Sequence, residues 1–158
     1  MYKVVCEEAT PWPRSRVRAI LDRQAYDRKP HPDQALRESV AAVWRERCAG
    51  NPMLFNATKF RMAGAQLVGT GVLEIYCGIT DYASYLGTNW NERFIGQDRV
   101  YLADPLGVGC VVVTADDKIC FIRRSKHVGE YPLCLDMPGG HPEPKNVVNI
   151  ADMSNESF

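Results

Sequence analysis

The sequence of 158 residues lacks an excess of charge of either sign, because 19 Lys and Arg residues balance 19 Asp and Glu residues. Non-specific nucleic-acid binding depends on basic residues that release counterions from phosphates, so this balance argues against a nucleic-acid partner. Long apolar runs are missing as well. The valines at 111–113 are strand-sized, and no run approaches the ~20 residues that cross a bilayer, so no membrane partner is expected.

The six cysteines contain no Cys-x-x-Cys pair and no zinc-finger spacing to His. Residues 1–8 lack the apolar stretch of a secretory signal, and acidic residues follow at once. Disulfide frameworks belong mainly to small secreted chains. We therefore expect reduced, mostly buried thiols and a cytoplasmic or nuclear location.

Apolar spacing predicts two helices in the first third of the chain. Val17, Ile20 and Leu21 stand at helical spacing between two proline-containing breakers, which predicts a short helix near 14–25. Asp33 is a suitable N-cap for a second helix over 33–48, whose apolar stripe ends before Gly50 and Pro52.

The middle of the chain is typical of β-structure. The segments 59–62 and 72–77 are rich in strand formers, and the Gly-Thr-Gly at 69–71 predicts a hairpin between them. A short turn or helix is expected from residue 80 to Gly87. A buried strand at 108–114 is expected to pair with 119–123 across a polar turn.

A cluster of reactive side chains surrounds the Pro-Gly-Gly at 138–140. Paired glycines let the backbone approach a ligand, and Asp136, His141 and Glu143 stand within seven residues of one another. With Arg123 and Arg124 at the end of the preceding strand, the set could hold a diphosphate and a divalent cation. The alternatives are a structural turn, a solvated basic strand end and an ordinary loop histidine.

The strand–turn–strand, the Arg-Arg and the Pro-Gly-Gly-His-Pro-Glu-Pro together resemble the first part of a Nudix hydrolase domain. Three further segments, 53–61, 85–90 and 101–109, resemble the animal UDP-sugar diphosphatases of that family. The resemblance covers roughly residues 33–144. It implies a Mg²⁺-dependent hydrolase that cleaves UDP-glucose or UDP-galactose to UMP and the sugar 1-phosphate.

The resemblance also implies a set of site residues. The uridine and diphosphate contacts of the family would fall on Phe55, Tyr82, Arg124, Gly129, Asp136 and His141, and a metal contact on the carbonyl of Gly139. The chemistry is reasonable, since an aromatic face suits uracil and a guanidinium suits phosphate. Phe55 and Tyr82 could instead be plain core or surface aromatics, and Asp136 could be a turn cap.

The sequence departs from the Nudix signature, Gly-x5-Glu-x7-Arg-Glu-Ψ-x-Glu-Glu-x-Gly-Ψ (Ψ, aliphatic). Asn146 stands where the first glutamate is expected, and no Arg-Glu or Glu-Glu pair follows. Those glutamates hold Mg²⁺ and orient the attacking water, so no catalytic residue is assigned. Asp152 and Glu156 could mimic one edge of that site or be a chance pair.

We therefore expect an α+β chain in three parts: an N-terminal α+β region over 1–100 with two helices and a hairpin, a partial Nudix domain over 101–144 and a weakly ordered tail over 145–158. The Nudix part would supply only the first strands of an incomplete α/β/α sandwich. The expected function is that of a truncated, impaired UDP-sugar hydrolase. The alternatives are a non-catalytic UDP-sugar binder or inactive isoform, and an interaction domain with an accidental glycine loop.

Overall fold

A computed structural model of the chain describes residues 12–69 and 71–146. The elements in these ranges are α1 (Arg23–Tyr26), α2 (Gln34–Gly50), α3 (Tyr82–Thr88), β1 (Val17–Leu21), β2 (Thr58–Val68), β3 (Val72–Asp81), β4 (Val108–Gly109), β5 (Ile122–Arg123), β6 (Leu135–Asp136) and β7 (Gly139–Gly140). The mixture of helices and strands confirms the α+β class. The expected weakly ordered tail beyond residue 146, with Asp152 and Glu156, lies outside the described residues, as does Cys6.

The main sheet has the order β1-β3-β2, with β3 in the centre. The strands β2 and β3 form the expected hairpin, antiparallel from Thr58 opposite Asp81 to Val68 opposite Val72. Of the expected turn, Thr70 lies outside the described residues. The core of the sheet is built on Leu21 and Cys77 and is extended by the partly buried side chains of Phe60, Ile75, Ile79 and Leu106.

The expected helix near 14–25 is wrong for most of its length. Residues Val17–Leu21 form β1, which pairs in parallel with β3 from Val17 opposite Leu73 to Leu21 opposite Cys77. Only a single turn, α1, follows, and it is capped by the side chain of Asp22. The free edge of β3 offers backbone partners and a core position for Leu21, and this tertiary pairing outweighs the local helical spacing.

The helix predicted over 33–48 is confirmed as α2, and Asp33 caps it by accepting a hydrogen bond from the Ala35 amide. The short helix expected after residue 80 is confirmed as α3, which the Asp81 carboxylate caps through the Ser84 amide. The two helices pack on each other, so α2 fixes the position of the first turn of α3.

The buried hairpin expected over 108–123 is wrong. The polar turn is present, because the Thr114 amide donates to the Lys118 carbonyl. The flanking strands are reduced to a single bridge between Val113 and Ile119, and β4 pairs with β7 instead. Val113 is 58% exposed. No described helix or sheet covers the apolar side chains of this segment, so the packing that lengthens strands is missing there.

All five described cysteines are free thiols. The expectation of mostly buried thiols is wrong, since Cys77 is buried whereas Cys110 and Cys134 are exposed. Among the described residues, no helix is both long and apolar enough to cross a membrane.

Candidate functional site

A cavity of about 680 Å³ lies where the main hairpin, the start of α3 and the loops of residues 107–141 meet. It is lined by Met53, Leu54, Phe55, Ala57, Lys59, Tyr82, Gly107, Val108, Gly109, Arg124, His127, Val128, Gly129, Glu130, Asp136, Met137, Gly139, Gly140 and His141. The volume is in the range of small-molecule and cofactor sites, and the walls combine apolar surface with a few charged groups.

All seven site residues that the family resemblance implies line this one cavity, whereas Arg123 and Glu143, which the sequence grouped with them, do not. The seven are Phe55, Tyr82, Arg124, Gly129, Asp136, Gly139 and His141, which come from segments up to 86 residues apart in the chain. Phe55 is 68% exposed, so its ring is open to a planar ligand instead of being part of the core. The contacts that these residues would make with a ligand remain predictions.

The aromatic wall is held by backbone hydrogen bonds. The Tyr82 amide donates to the Ala57 carbonyl, and the Ala83 amide donates to Oδ1 of Asn56. A Cβ at Gly129 would meet the Tyr82 hydroxyl, so the glycine lets this loop approach the Tyr82 side chain closely. Burial, together with the neighbouring Glu130 carboxylate, raises the pKa of Tyr82, so its phenol stays protonated.

Arg124 is fixed in the cavity wall by two contacts. Its Nε donates to the Glu130 carbonyl at 3.1 Å, and its Nη1 donates to Oδ2 of Asp136 at 2.7 Å. Within the described residues Nη2 has no hydrogen-bond partner and remains available to a ligand. The arginine is thus oriented before any ligand arrives, which lowers the entropic cost of binding.

His141 stands between groups of both signs. Its ring lies 5.8 Å from that of Tyr85, whose hydroxyl donates to the Glu130 carboxylate at 3.4 Å. Burial lowers the pKa of His141, and Lys59 and Arg124 lower it further, against the opposing effect of Glu130. The imidazole is therefore largely neutral at pH 7 and can either donate or accept a hydrogen bond.

Sequence reasoning missed two charged residues of the wall, Lys59 and Glu130. Lys59 belongs to a segment that carried the family resemblance, and it alternates with Phe60 along β2, which directs the two side chains to opposite faces. Its Nζ lies 2.5 Å from Oε1 of Glu143. The proximity of Glu130 to Gly129 is the one sequence signal that could have pointed to it.

Glu143 bridges two lysines instead of lining the cavity. Its Oε2 is 2.8 Å from Nζ of Lys145, in addition to its contact with Lys59. Hydrogen bonds from Lys145 and Lys59 lower the pKa of Glu143 to about 2. The carboxylate, which the sequence grouped with possible cation ligands, thus anchors Lys59 at the cavity wall.

This bridge predicts an acid-sensitive contribution to stability. Because the pKa of Glu143 is lower in the folded chain than its ordinary value of 4.5, its contribution is complete above that value and disappears as the pH falls towards 2. Urea unfolding from pH 5 to pH 2 should show a shallower loss of unfolding free energy in Glu143→Gln than in the wild type. The control Glu46→Gln, at an exposed position of α2, should keep the wild-type slope; equal slopes for all three proteins would contradict the prediction.

The described residues do not fit a Mg²⁺ site. In residues 12–69 and 71–146, no three His, Cys, Asp or Glu side chains are grouped so that they could share a metal ion. Asp136 pairs with Arg124, and Glu143 pairs with two lysines. At Gly139, a side chain would strike the Val108 carbonyl, so close strand packing already accounts for the glycine. A metal contact at Gly139 stays a prediction.

A cavity lined by cationic and aromatic side chains is typical of α+β proteins that bind a small anionic ligand.

No model of a protein family matches the chain. Curated proteins do match it. The chain is 44% identical over 147 residues to "Uridine diphosphate glucose pyrophosphatase NUDT22" of Bos taurus, with 84% of this chain and 50% of that protein covered.

Two other relatives agree. "Uridine diphosphate glucose pyrophosphatase NUDT22" of Homo sapiens is 41% identical over 147 residues, which cover 84% of this chain and 48% of that protein. "Nudix hydrolase 9" of Arabidopsis thaliana is 40% identical over 140 residues, covering 78% of this chain and 45% of that protein. The resemblance is confirmed: the chain is a homologue of Nudix hydrolases, and it spans about half the length of the curated relatives that it matches.

Proposed function

We propose that the cavity binds UDP-sugars such as UDP-glucose and UDP-galactose. The observation that carries the proposal is the convergence of the seven residues named from the sequence on one cavity, where Lys59 adds a second cation. Two relatives are named UDP-glucose pyrophosphatases, which favours a nucleotide sugar over other anionic ligands.

Each group has a role that its chemistry supports. Phe55 offers an open face to the uracil ring, and Tyr82 and Gly129 form the wall behind it. Arg124 and Lys59 neutralise the diphosphate, with Nη2 of Arg124 as the free donor. Asp136 accepts a hydrogen bond from a ribose hydroxyl, and neutral His141 donates one to a phosphate oxygen.

We further propose that this chain contributes ligand recognition with little or no hydrolysis. The family reaction would use Mg²⁺ to give UMP and the sugar 1-phosphate. Among the described residues, Asp136 and Glu143 are paired with cationic side chains. No three His, Cys, Asp or Glu side chains of these residues lie close enough together to share a metal ion. The sequence also lacks the glutamate pairs of the signature. A UDP-sugar binder of impaired activity fits these observations.

Calorimetry and a turnover assay test the two parts of the proposal separately. Titration of the full chain with UDP-glucose in buffer containing EDTA should give a saturable heat, whereas glucose 1-phosphate alone should bind far more weakly. Release of phosphate from UDP-glucose, coupled to a phosphatase, should remain near background with or without Mg²⁺. Absence of saturable binding would refute the binding function, and Mg²⁺-dependent turnover would refute the proposed impairment.

The lowered pKa of His141 predicts that affinity for UDP-glucose rises as the pH falls. A bound diphosphate places negative charge beside the imidazole and raises its pKa, so binding takes up a proton. The diphosphate diester itself does not titrate in this range. The dissociation constant should fall about threefold between pH 7.5 and pH 6. His141→Asn should abolish this dependence; a dependence of wild-type size in His141→Asn would contradict the role of His141.

A further inference from the structure

A second cleft, of about 350 Å³, lies between α2 and the first turn of α3. It is lined by Arg28, Pro30, His31, Arg37, Val40, Ala41, Trp44, Asn56, Asp81, Ala83, Ser84 and Phe94. None of these residues lines the first cavity. The cleft is therefore a separate feature of the surface, and neither the family resemblance nor the proposed function accounts for it.

The two cavities share a thin wall. In the segment before β2, Asn56 lines the second cleft, while its neighbours on either side line the first. In α3, Tyr82 lines the first cavity and Ala83 the second. The rings of Trp44 and Tyr82 meet edge to face across this wall, with their centroids 6.2 Å apart.

Two arginines give the second cleft its charge, and both have spare donors. The one hydrogen bond of half-buried Arg28 within the described residues is a 3.5 Å contact from Nη1 to the Lys29 carbonyl. Arg37 uses Nη1 alone, on the carbonyls of His31 and Pro32. Nε and Nη2 of Arg37 have no partner among the residues that the structure describes. Forked, unsatisfied guanidinium donors suit the oxygens of a carboxylate or phosphate.

The one carboxylate that lines the cleft does not satisfy these donors. Asp81 accepts from the Ser84 amide through Oδ1 at 2.8 Å and from the Ser84 hydroxyl through Oδ2 at 3.1 Å. Both ring nitrogens of His31 are already engaged, since its Nδ1 accepts from the Asp33 amide while its Nε2 faces Oε1 of Gln97. Two arginines against one helix-capping carboxylate leave a net charge of about +1, which suits a small anion.

The remaining wall of the cleft is largely apolar. Val40, Ala41, Trp44 and Phe94 provide aliphatic and aromatic surface beside the arginines.

We propose that the second cleft binds a small organic oxyanion, a carboxylate or a phosphate monoester carried on a planar ring. Arg28 and Arg37 hold the oxyanion, and the ring packs on the apolar wall with Trp44.

Backbone amide shifts of the ¹⁵N-labelled full chain test the proposal with three probes. Benzoate and phenyl phosphate represent the two oxyanions, and benzamide is the neutral match in shape. We expect one or both anions to produce saturable shifts centred on Asn56, Ala83 and Ser84, and benzamide to produce none. Saturation by one anion alone identifies which oxyanion the cleft accepts.

Matched variants assign the binding to the cleft. Arg28→Gln should weaken it about tenfold, and Arg45→Gln, at an exposed α2 position outside the cleft, should leave it unchanged. Ala41→Glu places a carboxylate at the exposed edge of the cleft and should abolish anion binding, while Ala41→Gln of similar size should largely retain it. This second pair keeps the test decisive if Arg28→Gln fails to fold.

Three results would overturn the proposal: no saturation with either anion, equal shifts with benzamide, or shifts centred on Gly107, Gly139 and His141 of the first cavity. Equal affinity of Ala41→Glu and Ala41→Gln would do the same. UDP-glucose binding is measured independently in each variant, so failure of the second cleft is distinguishable from failure of the UDP-sugar site.

Discussion

Arg124→Gln is expected to weaken UDP-glucose binding about 10- to 100-fold, equivalent to about 1.4–2.8 kcal/mol. The substitution removes the forked donor that Asp136 and the Glu130 carbonyl hold towards the cavity. It also removes positive charge from a wall that already carries two carboxylates. Calorimetry without Mg²⁺ measures the change directly and separates binding from any turnover.

Two variants make the Arg124 result specific. Arg124→Lys keeps the charge but loses the fork, so an intermediate affinity is expected. Arg123→Gln is the matched control, because Arg123 ends β5 directly before Arg124 but donates to the Leu133 carbonyl and does not line the cavity. If the affinities of Arg123→Gln and Arg124→Gln both stay within twofold of the wild type, the proposed contact between Arg124 and the diphosphate is wrong.

Arg61→Met is expected to lower the free energy of unfolding by about 3–5 kcal/mol. Arg61 is only 4% exposed. Its guanidinium donates to three backbone carbonyls, those of Leu102, Tyr26 and Arg99, at 3.0, 2.9 and 2.6 Å. It thereby ties β2 to the end of α1 and to the turn at 99–102. Its removal leaves the Tyr26 and Leu102 carbonyls without these donors at a buried position, while the Arg99 carbonyl keeps its hydrogen bond from the Leu102 amide.

Urea denaturation followed by circular dichroism measures the Arg61 effect. Arg18→Met is the control, because Arg18 also lies on the main sheet but its side chain is 54% exposed, so its ion pair with Glu74 should contribute under about 1 kcal/mol. Equal loss of unfolding free energy in the two variants would show that Arg61 acts as an ordinary surface cation.

Local sequence was sufficient for the elements with strong local signals. The Asp33 cap, the apolar stripe of α2 and its Gly50 ending act within a few residues, and the structure follows them. The β2–β3 hairpin likewise combines strand formers with a glycine turn. The family resemblance identified seven residues that converge on one cavity, although their common role in binding is still a prediction.

The alternation along β2 shows where local information stops. It predicts that Lys59 and Arg61 share the face opposite Phe60, and a polar face is normally a solvated one. Here the turn at 99–102 covers Arg61 and buries it, while Glu143, 84 residues along the chain, holds Lys59 at the cavity. The pattern determines the face, and the packing of distant segments decides what that face meets.

The sequence by itself determined the α+β class, the second helix, the central hairpin and the set of residues to examine for a nucleotide-sugar site. Tertiary structure alone decided that Val17–Leu21 is a strand, that the apolar segment of 108–123 forms no buried hairpin, and that Lys59 and Glu130 join the cavity. The physical reason is the same in each case. Whether a segment pairs as an edge strand, whether an apolar face is covered and whether a charge is paired all depend on residues remote in the sequence, and local periodicity carries no information about them.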